Sequence, residues 1–151
     1  MPRRRELMRQ AAQVAALLAG AGLWPGLRAQ AQAGLFAAQD LDALARALGD
    51  AAPQESAGVS VSAPALAENG ASVPVALASS LPGVVRLALL VARNPTRLAA
   101  VFEVGEAVEP RFLLRVKMAE SSALYAVALL ADGQVRYARQ EVDVTLGGCG
   151  T

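Results

Sequence analysis

From Ser56 onward the apolar residues of this chain stop following a helical period and alternate, and the alternation lasts almost to the C-terminus. A period of two puts successive side chains on opposite faces of an extended strand. Val59, Val61 and Ala63 alternate with Ser60 and Ser62. Val73, Val75 and Leu77 alternate with small residues, after a turn at Ala67-Glu68-Asn69-Gly70. Val85, Leu87, Leu89 and Val91 form a third run, stopped by Asn94-Pro95. Leu98 to Val104 is a fourth, stopped near Gly105-Glu106. Phe112, Leu114, Val116 and Met118 alternate with Arg111, Arg115 and Lys117, one dry face and one wet. Leu124 to Ala131 is almost wholly apolar, which places it centrally. Asp132-Gly133 is a two-residue hairpin signal leading into Val135-Arg136-Tyr137, and Val142, Val144 and Leu146 close the set. Strands at this spacing predict an all-β, immunoglobulin-like antiparallel sandwich of about seven to eight strands. The Cys…Trp…Cys marker of antibody domains is absent, since Trp24 precedes all the strands. Pro74 and Pro82 cannot donate to a ladder and point to edge or terminal positions.

The N-terminal part reads differently. Arg3, Arg4 and Arg5 precede a short apolar stretch from Ala11 to Leu23 and the alanine-rich Ala29-Gln30-Ala31-Gln32-Ala33. A basic end, an apolar middle and an Ala-x-Ala site form an export signal, with cleavage after Ala31 or Ala33. Arg4-Arg5-Glu6-Leu7-Met8-Arg9 has the layout of a twin-arginine signal, although Arg3 stands where Ser or Thr is usual. A Sec route or an N-terminal anchor is the alternative. The expected organisation is a signal at 1–33, a helix and linker at 34–55, the sandwich at 56–146 and a tail at 147–151. The helical pattern covers Leu35 to Gly49, with Leu41, Leu44, Ala45 and Leu48 on one stripe, Asp40 as N-cap and Gly49 as stop.

Composition excludes several functions. The whole chain has 14 basic and 13 acidic residues. Removing the leader leaves 9 and 12, a net of −3, which is no nucleic-acid footprint and no basic surface for an anionic membrane. There is no histidine, so the commonest general base and metal ligand is missing. One cysteine allows neither a zinc cluster nor an internal disulfide. No metal or cofactor is expected.

That single cysteine is Cys149, within Gly147-Gly148-Cys149-Gly150-Thr151. Glycines lack a Cβ, so the tail is expected to be a mobile arm with an unhindered thiol. No cation lies near it in sequence to make a thiolate. At a reference pKa of about 8.5 the thiol is mostly protonated at neutral pH. Such an arm does not catalyse alone; it depends on another protein's basic pocket. Two readings follow from the residues: a carrier that presents a tethered intermediate to partners, or a structural sandwich that dimerises through a Cys149 disulfide. Prenylation needs three residues after the cysteine, and only two follow.

Gly147-Gly148-Cys149-Gly150 after Val142-Asp143-Val144-Thr145-Leu146 resembles the swinging arm of the SoxY family, the sulfur-carrier subunits of the periplasmic thiosulfate-oxidising (Sox) system. Ala67-Glu68-Asn69-Gly70-Ala71-Ser72-Val73-Pro74-Val75 is similar to the family's AENGxxVPV stretch, and Asn94-Pro95 and Ala131-Asp132-Gly133 also fit. The resemblance implies a periplasmic, non-enzymatic carrier without metal or cofactor. It implies pairing with a second sandwich subunit, SoxZ. The haem enzyme SoxAX would join thiosulfate oxidatively to Cys149 as a cysteine S-thiosulfonate. The hydrolase SoxB would release sulfate, and the molybdenum–haem enzyme SoxCD, where present, would oxidise the remaining sulfur. Cys149 would carry the sulfur, and Gly147, Gly148 and Gly150 would give reach and access. The family arm usually ends in a second glycine, where this chain has Thr151.

Overall fold

The computed structural model describes residues 35–49 and 52–145. The leader and the tail from Leu146 to Thr151 lie outside the described residues. Within them, one helix and nine strands make three layers: helix, six-stranded sheet, three-stranded sheet. The strands are β1 (Gln54–Glu55), β2 (Val59–Ser62), β3 (Leu66–Ala67), β4 (Val73–Ser79), β5 (Val84–Val91), β6 (Leu98–Glu103), β7 (Arg111–Val116), β8 (Ser122–Leu130) and β9 (Val135–Val144).

Helix α1 spans Leu41–Gly49. Asp40 caps it: its Oδ1 accepts from the Ala43 N–H at 2.7 Å and its carbonyl from the Leu44 N–H at 3.0 Å. An N-cap takes non-helical backbone angles, so the helix starts at Leu41 and not at Leu35. Leu35 and Phe36 are helical too, but they belong to a separate stretch that ends at Ala37, where the Ala38 N–H closes on the Leu35 carbonyl. The predicted stripe is real. Leu44 and Ala45 are fully buried against Ala88, Leu90, Val127, Leu129 and Val135 of the large sheet. Burying one such leucine is worth about 2 kcal/mol. Gly49 does more than stop the helix: a Cβ there would meet the Gly133 carbonyl oxygen and Leu129 Cδ1, each at 2.7 Å.

The large sheet runs β1-β9-β8-β5-β6, with β3 also on β9; the small one runs β2-β4-β7. Core residues between them come from Val73, Val75 and Leu77 on one side and Leu87, Leu89, Leu124 and Val142 on the other. Strands β5 and β8 are buried on both faces, because α1 covers the side away from the small sheet. This explains the unbroken apolar run predicted to be central. Phe102 of β6 stacks on Phe112 of β7, ring centroids 4.2 Å apart, and joins the two sheets along one side.

Four details differ from the sequence expectation. The strand count is nine, because two short strands, β1 and β3, join the sheet. Both pair parallel to β9, in a sandwich otherwise antiparallel. The runs at Val135 and Val142 are one ten-residue strand, β9, whose polar middle (Arg139-Gln140-Glu141) hides its continuity. The β8–β9 loop has three residues, not two: the Leu130 N–H bonds the Gln134 carbonyl at 2.9 Å, around Ala131-Asp132-Gly133. Gly133 has φ +87°, the left-handed residue that closes this type of loop. Pro74 meets the expectation of a terminal position: it is the second residue of β4, opposite Arg115 of β7. Strand β2 ends at Ser62, opposite Ala76, so the chain opposite Pro74 needs no donor from it.

Candidate functional site

Cys149, Gly147, Gly148 and Gly150 lie outside the described residues. The described chain reaches Thr145, four residues before Cys149, so the end of β9 is the part of the candidate site that the structure describes. Val142 and Val144 of β9 are buried and seat the strand in the core. Two other segments, Ala65–Ala67 and Ser121, hold this end of the strand by hydrogen bonds. The Asp143 N–H donates to the Ala65 carbonyl at 2.9 Å, and the Thr145 N–H to the Ala67 carbonyl at 3.1 Å. The Thr145 hydroxyl donates to the same Ala67 carbonyl at 3.1 Å. From the other side the Val144 N–H donates to Ser121 Oγ at 2.8 Å.

The stretch that continues from Ala67 is the AENG motif. Asn69 folds it into a turn, its Oδ1 accepting from the Ala71 N–H at 3.0 Å. The Gly70 carbonyl accepts from the Met118 N–H at 2.7 Å, which ties the turn to the β7–β8 loop. That loop is held in turn by Asn94. Its Nδ2 donates to the Lys117 carbonyl at 2.6 Å and its Oδ1 accepts from the Ala119 N–H at 3.0 Å. The Arg93 N–H donates to Ser122 Oγ at 3.0 Å. Two motifs far apart in sequence, Ala67–Gly70 and Asn94-Pro95, therefore gather with residues 117–122 around the end of β9. The third, Ala131-Asp132-Gly133, does not: it lies at the opposite end of β8.

Ser121, Ser122 and Thr145 make side-chain hydrogen bonds at this end of the sheet that strand periodicity does not single out. Their signal is polarity next to an apolar strand end. Glu68, Arg111, Arg115 and Lys117 are exposed as expected, and Arg115 Nη1 also donates to Ser72 Oγ at 3.3 Å. Farther back on β9, Arg139 is pushed above its ordinary pKa by its hydrogen bond to the Tyr125 hydroxyl, then by the charge of Glu141. It stays cationic and supplies no acid–base chemistry. Among the described residues no cluster of three or more His, Cys, Asp or Glu could hold a metal ion. No described helix is long and apolar enough to cross a membrane.

The sequence model described as "Sulfur oxidation protein SoxY" matches residues 44–149, a span that ends on the cysteine. The chain belongs to the SoxY family. Among solved structures it is similar to the sulfur carrier protein SoxY from Chlorobium limicola f thiosulfatophilum. The identity is 36%, the TM-score 0.63, and the match covers 70% of this chain and 94% of that one. A superoxide reductase (neelaredoxin) from Ignicoccus hospitalis shares the fold at 16% identity and TM-score 0.52, over 58% of this chain and 80% of its own. No curated protein matches the chain.

Proposed function

We propose that this SoxY-family chain is a covalent sulfur carrier whose cargo is attached at Cys149 and presented to partner enzymes of a Sox system. The observation that carries this is the family match, which runs through the sandwich and ends at the only cysteine. The hydrogen-bonded root supports it. Thr145 is held by the AENG segment, and the four residues from there to Cys149 span at most ~14 Å. The thiol is thus tethered close to one end of the sandwich, at high local concentration for whichever enzyme docks there.

The chemistry follows from what a thiol and thiosulfate can exchange. The Cys149 thiol loses its proton, its sulfur bonds the sulfane sulfur of thiosulfate, and two electrons leave to a haem partner of the SoxAX type. Water then attacks the terminal sulfonate sulfur at a SoxB-type hydrolase. The sulfur–sulfur bond to that sulfonate breaks, sulfate leaves, and a persulfide stays on Cys149. A SoxCD-type enzyme is the candidate for oxidising it further. The chain itself performs no turnover. Its working form is a heterodimer with a SoxZ-like sandwich subunit, in the periplasm after export through the twin-arginine leader.

Intact-protein mass spectrometry of the chain from thiosulfate-fed cells tests the reading. Adducts of thiosulfonate and sulfane sulfur on Cys149 are expected, and Cys149→Ser should abolish both the adducts and thiosulfate oxidation. An adduct-free wild-type thiol during active oxidation refutes it.

A further inference from the structure

The two sheets are finished differently. The outer face of the large sheet is covered by α1, whereas the outer face of the small sheet has no described cover. Strand alternation decides what that bare face shows. Val73, Val75 and Leu77 point inward, so Pro74, Ala76 and Ala78 point out; Ser60 and Ser62 flank them on β2, and Arg111, Leu113 and Arg115 on β7. Small side chains on β2 and β4 leave a shallow groove of about 740 Å³, lined by Ser62, Pro64, Pro74, Ala76, Leu113 and Arg115. Leu113 stands at its rim, 82% exposed, more than any other large apolar side chain described. A leucine so placed is in contact with almost nothing of its own chain.

Charge identifies what fits there. Arg111 and Arg115 flank Leu113 on the same strand and the same face, and no carboxylate projects from that face. Glu109, just before β7, is 3.9 Å from Arg111 Nε, with both side chains more than two-thirds exposed. A second copy of this chain is a poor occupant. Face to face it brings two more arginines to the same patch. In an antiparallel edge pairing of β7 centred on Leu113, Arg111 of each copy falls opposite Arg115 of the other, a like-charge pairing that destabilises a ladder. An anchor leucine between two guanidiniums suits an apolar socket rimmed by carboxylates, with the arginines able to bind them bidentately.

We infer that the bare face of the small sheet, centred on Leu113 with Arg111 and Arg115, is the docking surface for a protein partner that offers an apolar socket bordered by carboxylates. The inference rests on the heterodimer in the function proposed above, and the SoxZ-like subunit from the same genome is the probe. The full-length mature chain and that subunit are titrated by calorimetry at two salt concentrations. Leu113→Glu is expected to weaken the complex on the order of fiftyfold. The double variant Arg111→Glu, Arg115→Glu should weaken it about tenfold and flatten its salt dependence. Phe36→Ser, on the helix side, should bind as wild type. Both face variants should melt like wild type, since their side chains are exposed. In a Cys149→Ser, Leu113→Cys chain, maleimide should label position 113 when free and be blocked in the complex. Wild-type affinity in the face variants, or undiminished labelling in the complex, overturns the assignment. So does loss of self-association, by sedimentation, as the only effect of Leu113→Glu. A wild-type chain that ignores the subunit overturns the assignment together with the heterodimer, while the Cys149 adducts still test the carrier chemistry separately.

Discussion

Gln140 replaces a missing piece of sheet with a side chain, and its removal has a calculable effect. Strands β1 and β3 lie along one edge of β9 at Arg136–Tyr137 and Asp143–Val144. Between them the Gln140 amide acts as the ladder: its Oε1 accepts from the Ala63 N–H at 3.2 Å and its Nε2 donates to the Ala63 carbonyl at 2.7 Å. In Gln140→Glu a carboxylate keeps the first bond and puts an oxygen against the Ala63 carbonyl. Losing one bond and setting two acceptors face to face costs about 1–2 kcal/mol at this half-buried site. For a domain of this size that is a fall in Tm of about 4–8 °C. The neutral acid can donate where the amide did, so the new carboxyl has a folded pKa raised above its unfolded value of about 4.3. The stabilising bond is therefore present below about pH 4.3 and is lost as pH rises through the raised folded pKa. Differential scanning fluorimetry of wild type, Gln140→Glu and Gln140→Leu from pH 4 to pH 7 reads this out. The acid variant should approach wild type at pH 4 and fall behind by pH 7, while the leucine variant stays low throughout. A Gln140→Glu deficit that is absent at pH 7, or equal at both ends, refutes the reasoning.

Two further outcomes follow from the contacts. Asn94→Ala removes both bonds to the 117–119 loop and should cost about 2 kcal/mol, with faster amide exchange at Ala119 and Met118 by hydrogen-exchange mass spectrometry. Leu44→Ala opens a cavity under a fully buried helix residue and should cost about 2–4 kcal/mol in urea unfolding while the far-ultraviolet strand signature remains.

The sandwich was legible because Val59–Val61, Val73–Leu77 and Phe112–Val116 each bury one face, and a single buried face imposes period two. Where both faces are buried, as in Leu87–Val91 and Leu124–Leu129, the period vanishes, and only the apolar run told of a central strand. Two-residue strands carry no period, so β1 and β3 were read as linker and turn. The start of α1 is blurred in the sequence because buried Leu35 and Ala38 carry the apolar pattern across the break at residues 37–40. Of the candidate site, the motif residues were visible one by one. Their convergence was not, because Asn94 and Ser121 bond backbone groups of other segments, and Ala67 bonds through its own carbonyl, pairings that leave no mark in the apolar pattern. The bare arginine–leucine face was read as a wet face alone, since alternation assigns Leu113 a side without saying whether anything covers it.

The parallel pairings of β1 and β3 with β9 join residues about 80 positions apart in the chain. Contacts of that span form late, because a long loop must close before they repay it. The second of these pairings, through Ala67, also holds Thr145. In a growing or partly unfolded polypeptide the end of β9 therefore has no fixed place; it gains one when the β3 ladder zips. Under the carrier function proposed above, maturation and readiness for cargo would then be one event, tested by whether an unfolded chain still acquires sulfur adducts.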